Sequence, residues 1–77
     1  MKLEIHYYGL LTEICGTARA EMEVEAQSIS DLRKHLETRY PGLKAVTYQF
    51  AQHEALSSDS DPITANQIAL LPPFSGG

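Results

Sequence analysis

The chain has 77 residues, of which 43% are hydrophobic and 21% are charged, and its formal net charge is −4 at neutral pH. This length accommodates one small domain, and this composition is typical of a soluble globular protein rather than a disordered or membrane-spanning one. The 10 acidic and 6 scattered basic residues disfavour a nucleic-acid partner, because binding phosphates requires a clustered positive face.

The cysteine and histidine content restricts the chemistry further. A single cysteine, Cys15, excludes an internal disulfide framework and a zinc site built from several cysteines. Cys15 lies near the end of a short apolar segment without a flanking base, so we interpret it as a buried structural thiol rather than a sulfur-relay thiol. His6, His35 and His53 match no metal-ligand spacing, and we predict no metal site. The chain opens without an apolar leader and has no membrane-spanning run, so we expect a cytoplasmic protein.

The first two predicted strands alternate between apolar and polar residues, as half-buried strands do. The apolar positions are Leu3, Ile5 and Tyr7 in the first strand and Ala20, Met22, Val24 and Ala26 in the second. The second strand carries Glu21, Glu23 and Glu25 on its other face, which we interpret as a solvated row. Between the strands, Leu10, Leu11 and Ile14 have helical spacing before Gly16, which predicts a short helix. Such a short connection favours an antiparallel pair.

One substantial helix is predicted to begin at Ser28, whose spacing from Asp31 is that of a capping box. Pro41 ends this helix, because proline disfavours helical geometry in the residue before it. The apolar positions of the helix recur on one face and are Ile29, Leu32, Leu36 and Tyr40.

The rest of the body is predicted to be extended. Val46, Tyr48 and Phe50 alternate with polar residues and predict a third strand. Residues 52–62 are polar and predict a surface loop around a short strand near Ala55 and Leu56. Residues 67–71 form the last predicted strand. The order of elements favours an α+β fold of the β-grasp type over residues 1–71, in which one mixed sheet is covered by the main helix and a short helical turn.

The last predicted strand is apolar on both faces. Ile68 and Leu70 face one way, and Ala69 and Leu71 face the other. The chain has no second long helix to cover the second face, so we predict that Leu71 contacts a partner. The alternative is that Leu71 is an ordinary exposed leucine.

Residues 72–77 are predicted to form an extended C-terminal tail. Pro72 and Pro73 have no backbone donor and a fixed φ, so the chain leaves the sheet there. Six residues can reach roughly 20 Å beyond the body. Gly76 and Gly77 lack a Cβ, which makes this end narrow enough to enter a tunnel.

The ending Leu-Leu-Pro-Pro-Phe-Ser-Gly-Gly, residues 70–77, resembles that of the molybdopterin synthase small subunit family, the MoaD-type ubiquitin-like sulfur carriers. Residues 7–17 resemble the first strand and short helix of this family, residues 28–32 its capped helix start, and residues 39–41 its helix end. The resemblance covers nearly the whole chain. Residues 64–67 depart from it, because the family usually has a longer acidic turn before the last strand.

This resemblance implies a chemistry centred on Gly77. An ATP-using activating enzyme would convert the Gly77 carboxylate to an acyl-adenylate, and sulfur would then displace the AMP to leave a thiocarboxylate. The tail would enter the large, catalytic subunit of molybdopterin synthase, expected as a heterotetramer, and donate sulfur to cyclic pyranopterin monophosphate to form the molybdopterin dithiolene. No cofactor is expected on this chain itself. The tail-threading residues would be Ser75 and Gly76, and the partner-binding residues Leu71, Pro72, Pro73 and Phe74.

Three other functions are compatible with a Gly-Gly ending on such a body. A ubiquitin-like protein modifier would use the activated Gly77 to acylate lysines, and a thiamine-pathway-type carrier would pass its sulfur elsewhere. A plain interaction module would have an inert tail. Intact mass and covalent attachment distinguish these classes.

Overall fold

A single mixed sheet organises residues 1–72, which are the residues that the computed structural model describes. Its strand order is β2-β1-β5-β3-β4, and β1 and β5 run parallel whereas the other neighbours run antiparallel. β2 and β3 therefore run in the same direction, and the chain joins them by a crossover that carries the main helix. The strands are β1 (Lys2–Tyr7), β2 (Arg19–Glu23), β3 (Gln49–Gln52), β4 (Ala55–Ser57) and β5 (Gln67–Leu71).

Two α-helices and a 3₁₀ helix connect these strands. They are α1 (Leu10–Cys15), α2 (Ile29–Arg39) and the 3₁₀ helix Pro41–Ala45. α1 ends at Gly16, which has a left-handed conformation with φ 74°, as the sequence predicts. The predicted capping box of α2 is confirmed. The Asp31 amide donates to Ser28 Oγ at 3.2 Å, and the Ser28 amide donates to the Asp31 carboxylate at 3.3 Å.

The polar loop that follows β4 is held against the start of α2. The amides of Ile29 and Ser30 have no acceptor within the helix, and they donate to the backbone carbonyls of Asp61 and Asp59 at 3.0 and 2.9 Å. Arg33 also donates to the Asp59 carboxylate, at 2.9 Å from Nη2. The loop thus completes the N-terminal cap of α2.

The core lies between the helices and one face of the sheet. The predicted apolar faces of β1, α2 and β5 are confirmed, because all their members except Tyr40 are buried. Tyr40 is half-buried at the C-cap of α2, where its ring packs edge-on against that of Tyr7. The fully buried positions are Leu3, Ile5, Leu11, Ile29, Leu32, Leu36, Leu43, Phe50, Ile68 and Leu70, each at most 1% exposed.

Three expectations differ from the structure. The second strand does not extend to Val24 and Ala26: β2 ends at Glu23, and these two side chains are buried in the segment that follows it. The third strand begins at Gln49, so Val46 and Tyr48 lie before it, and the Val46 amide donates to the Leu43 carbonyl at the end of the 3₁₀ helix. Gln52 does not lie in a surface loop, because it is the last residue of β3 and is 6% exposed.

Close packing of α1 on the 3₁₀ helix depends on a glycine. A Cβ on Gly42 would lie 3.1 Å from Cγ2 of Ile14, so a larger residue would separate the two helices. Among residues 1–72 no helix has the length and apolarity needed to cross a membrane.

Candidate functional site

No element within residues 1–72 covers the face of the sheet opposite the helices, and we call this the uncovered face. One row of side chains crosses all five strands on it. His6 pairs with Arg19 on β2 and with Ala69 on β5. Ala51 then pairs with both Ala69 and Leu56. The row is polar at the β2 edge and apolar at the β4 edge, where Leu56 is 61% exposed.

Leu71 lies on this uncovered face, two residues from Ala69. It pairs with Gln49 of β3 and is half-buried, whereas Leu70 beside it is fully buried in the core. Tyr8, which follows β1, is 48% exposed. The predicted separation of β5 into one core side and one partly accessible side is therefore confirmed.

The polar end of the row is formed by Glu4, His6 and Arg19. His6 Nε2 lies 2.6 Å from Glu4 Oε2, and Arg19 Nη1 approaches the same oxygen at 4.0 Å. Beyond them, the predicted acidic row of β2 and the residues after it is exposed, as expected for a solvated face. The uncovered face thus has an acidic, charged side and an apolar side.

A shallow depression of about 700 Å³ lies over the middle of this face and is open to solvent. Its walls include His6, Tyr8, Ala69 and, at the far end, His53 and Thr64. His53 Nε2 lies 3.0 Å from Thr64 Oγ1, which joins the β3–β4 turn to the segment before β5. The depression is a surface groove suited to contact with another molecule rather than an enclosed reaction chamber.

Gln52 supports the segment before β5 from inside the domain. Its Oε1 accepts from the amides of Thr64 and Ala65 at 2.9 and 3.2 Å, and its Nε2 donates to the Pro62 carbonyl at 3.0 Å. These bonds hold residues 62–65, the segment that leads into β5. The signal in the sequence was the continued alternation of Tyr48, Phe50 and Gln52, which places Gln52 on the core face.

The chain leaves the body at Pro72. β5 ends at Leu71, because proline has no amide to continue the ladder. Of the predicted site residues, Leu71 therefore ends β5 on the uncovered face, and Pro72 follows it and lies beside Gly9. The predicted roles of Pro73, Phe74, Ser75, Gly76 and Gly77 lie outside the described residues.

Cys15 is buried at the end of α1, as the sequence predicts, and burial raises the pKa of its thiol. A thiol with a raised pKa is mostly protonated at neutral pH and is a weak nucleophile. Within residues 1–72, no three His, Cys, Asp or Glu side chains are grouped closely enough to hold a metal ion.

Known structures share this fold at low sequence identity. Small archaeal modifier protein 1 from Haloferax volcanii superposes with a TM-score of 0.79 at 18% identity, over 100% of both chains. A Pyrococcus furiosus protein named for molybdopterin converting factor subunit 1 gives 0.84 at 16% identity, covering 96% of this chain and 99% of the other. The corresponding modifier from Methanosarcina acetivorans gives 0.75 at 18%, covering 99% and 96%.

No protein-family profile and no curated protein sequence matches the chain. The structural likenesses establish the fold as a ubiquitin-like β-grasp, which confirms the predicted fold class.

Proposed function

We propose that this chain is a sulfur carrier that delivers sulfur from a Gly77 thiocarboxylate, and that its acceptor complex is molybdopterin synthase. The observation that carries the proposal is the coincidence of three features at one end of β5. These are the uncovered face with Leu71, the exit of the chain at Pro72, and the Gly-Gly ending that the sequence places beyond this exit. A β-grasp protein named for a molybdopterin converting factor subunit supports the choice of pathway.

The energetics of a docked tail support a role for the uncovered face. Ordering six tail residues costs about 6–12 kcal/mol at 1–2 kcal/mol per residue. Fixed φ values at Pro72 and Pro73 reduce this cost, and burial of Phe74 returns only about 1.5–3 kcal/mol. The tail alone therefore binds weakly, and the body has to contribute. Leu71 and Leu56, which lie on the uncovered face and are not fully buried, offer the apolar area for this contact.

The proposed chemistry follows from the terminal carboxylate. A carboxylate with a pKa of about 3.3–3.7 is ionised at neutral pH and is a poor acyl electrophile. Attack of this carboxylate on the α-phosphorus of ATP, at the activating enzyme, releases pyrophosphate and leaves an acyl-adenylate. Hydrosulfide then attacks the Gly77 carbonyl carbon, the bond from this carbon to the AMP oxygen breaks, AMP departs and the thioacid loses its proton. The resulting thiocarboxylate is the sulfur donor, and the groups that bind the pterin belong to the large subunit.

A second function is favoured by two of the structural comparisons. The neighbours from Haloferax volcanii and Methanosarcina acetivorans are named as modifier proteins. In that function the same acyl-adenylate is formed, but the carbonyl carbon of Gly77 passes to the ε-amino group of a lysine on another protein. Both functions share the activation step and differ in the nucleophile that accepts the acyl group.

Intact mass spectrometry of the protein isolated from its own cells separates these functions. A sulfur carrier gains the mass difference between one sulfur and one oxygen atom, and fragmentation places this gain on Gly77. A modifier is instead recovered attached to lysines of other proteins through Gly77.

A variant that lacks Gly77 is the matched control, because the body and Leu71 are unchanged. The deletion shortens the tail by about 3.3–3.6 Å. We expect it to bind the large subunit of molybdopterin synthase but to support no pterin sulfuration. Full turnover by this variant would disprove the sulfur-carrier mechanism.

A further inference from the structure

The chain leaves β5 directly beside the loop that connects β1 to α1. Gly9 in this loop has φ 57° and ψ −135°, a conformation that residues with a Cβ rarely adopt. A Cβ on Gly9 would lie 3.1 Å from Cγ of Pro72, with Cβ and Cδ of the same ring at 3.8 and 3.9 Å. The bare α-carbon of Gly9 therefore packs closely against the Pro72 ring.

Both partners of this contact are fixed to the body. The Gly9 carbonyl accepts from the Thr12 hydroxyl at 2.8 Å and from the Thr12 amide at 3.1 Å. Pro72 follows Leu71, which is paired with Gln49 in the sheet. The proline ring also fixes its own φ. The contact thus joins two rigid points at the ends of the parallel strands β1 and β5.

We propose that the Gly9–Pro72 contact sets the direction in which the chain leaves the sheet, and that Gly9 is thereby a positioning residue for the Gly77 carboxylate. The inference rests on the proposed function, because it concerns the delivery of Gly77 to an adenylating site. A methyl group on Gly9 would require the Pro72 ring to move by a few tenths of an ångström. Gly77 is attached to the body through Pro72, so a shift of Pro72 changes the position from which the Gly77 carboxylate is presented.

The test compares Gly9→Ala with Gly16→Ala in ATP–pyrophosphate exchange by the adenylating enzyme of the same organism. Gly16 also has a positive φ, of 74°, but no atom lies within 4 Å of a Cβ placed on it. Because misplacement by 1 Å can cost about 100-fold in a positioned reaction, we expect Gly9→Ala to lower kcat about tenfold. KM should stay unchanged because the docking face is intact, and Gly16→Ala should leave both constants near those of the unsubstituted protein.

Repeating the Gly9→Ala substitution in a Pro72→Ala background isolates the contact. Removal of Cγ leaves only ordinary van der Waals distances, so the additional loss from Gly9→Ala should disappear. An unchanged kcat for Gly9→Ala would overturn the inference, because the contact would then have no influence on adenylation. An equal loss in both backgrounds would also overturn it, because Gly9 would then act through the start of α1 and not through Pro72.

Two further outcomes have a defined meaning. If Gly9→Ala does not fold, the comparison passes to Pro72→Ala and Pro73→Ala, each of which frees one φ. The inference requires the larger loss of kcat from Pro72→Ala, and equal losses would overturn it. If the unsubstituted protein is not adenylated at all, the proposed function fails and this inference falls with it. If it is adenylated and the variants match it, only the positioning role fails.

Discussion

At the scale of single residues, the Tyr7 hydroxyl is buried in a way that costs free energy of folding. It is the one buried side-chain polar atom in residues 1–72 that has no hydrogen-bond partner. The ring itself packs edge-on against Tyr40, with centroids 6.0 Å apart, and burial raises the pKa of Tyr7. Tyr48 presents the opposite case, because its hydroxyl donates to the Glu37 carboxylate at 2.7 Å and Arg33 lies over its ring. The two buried tyrosines therefore differ in whether the hydroxyl has a hydrogen-bond partner, and comparing them measures the value of that bond.

Removing each hydroxyl should have opposite consequences. We expect Tyr7→Phe to leave the free energy of unfolding unchanged or slightly higher, because an unpaired buried group is replaced by apolar surface. Tyr48→Phe should lose about 1.5–3 kcal/mol, the value of a hydrogen bond to a charged group. Urea denaturation of the two variants measures both effects. A loss for Tyr7→Phe as large as that for Tyr48→Phe would mean that the Tyr7 hydroxyl is satisfied in solution.

At the scale of elements, the β3–β4 hairpin carries strain in its turn. His53 and Glu54 form a two-residue connection, and both have positive φ, of 52° and 62°. Such turns follow the twist of the strands but favour Asn-Gly over residues with larger side chains. The hairpin nevertheless positions His53 beside Thr64, at the end of the surface depression.

Relieving this strain should stabilise the domain. We expect Glu54→Gly to raise the free energy of unfolding by about 1 kcal/mol, because left-handed backbone costs a non-glycine residue about 1–2 kcal/mol. Gly16→Ala is the reverse change at another positive φ without a steric neighbour, and it should destabilise by a similar amount. Thermal unfolding of both variants measures the shifts. A lower melting temperature for Glu54→Gly would contradict the assignment of strain.

The capping box of α2 makes the stability depend on pH. The Asp31 carboxylate accepts from the amides of Gln27 and Ser28, and the Gln27 bond contributes most to the lowered pKa of this group. Because the folded pKa is lower than the unfolded value of about 3.9, the stabilisation is complete above that value and is lost as the pH falls through the folded pKa.

Asp31→Asn should therefore be less stable than the unsubstituted protein near neutral pH, and the difference should shrink below about pH 4. Denaturant titrations across this range measure it. Lys44→Gln is a suitable control, because it changes an exposed charge in the 3₁₀ helix that follows α2 but neither the capping bonds nor a charge that shifts the pKa of Asp31. A difference that stays constant to the most acidic pH would exclude the carboxylate as its source.

The elements also show why some features were predictable from the sequence and others were not. α2 and β1 were predicted because their apolar periods directly encode the face that they bury. Val46 was wrongly predicted to be in a strand, because the 3₁₀ helix after Pro41 depends on local carbonyl geometry rather than on periodicity.

At the candidate site, Leu71 was predicted from the apolar character of both faces of β5. Gly9 was not, because its contact with Pro72 joins residues far apart in the chain and exists only once β1 and β5 are paired.

At the scale of the whole molecule, the helices of residues 1–72 cover one face of the sheet, and none of these residues covers the other face. On the uncovered face, acidic and apolar side chains lie toward opposite edges. Glu21, Glu23 and Glu25 line the β2 edge and the segment after it, whereas Leu56 and Leu71 lie toward β4 and β5. A basic partner would thus be steered toward one edge while apolar contact formed at the other.

Because one face of the sheet is covered and the other is not, the neighbouring residues Leu70 and Leu71 of β5 lie in different environments and can be compared directly. Leu71→Asp should leave the domain folded, because Leu71 is half-buried on the uncovered face and its replacement can remain solvated. Leu70→Asp should unfold the domain, because Leu70 is fully buried in the core and an unpaired carboxylate there is prohibitively costly. We expect Leu71→Asp to weaken binding to the proposed partner, the large subunit of molybdopterin synthase, by about 1 kcal/mol or more, as truncation of a buried interface anchor does. Circular dichroism establishes folding, and titration calorimetry measures the affinity of the folded variant. Unfolding of the isolated Leu71→Asp domain would place Leu71 in the core, and unchanged affinity of a folded Leu71→Asp variant would move the docking surface away from the end of β5.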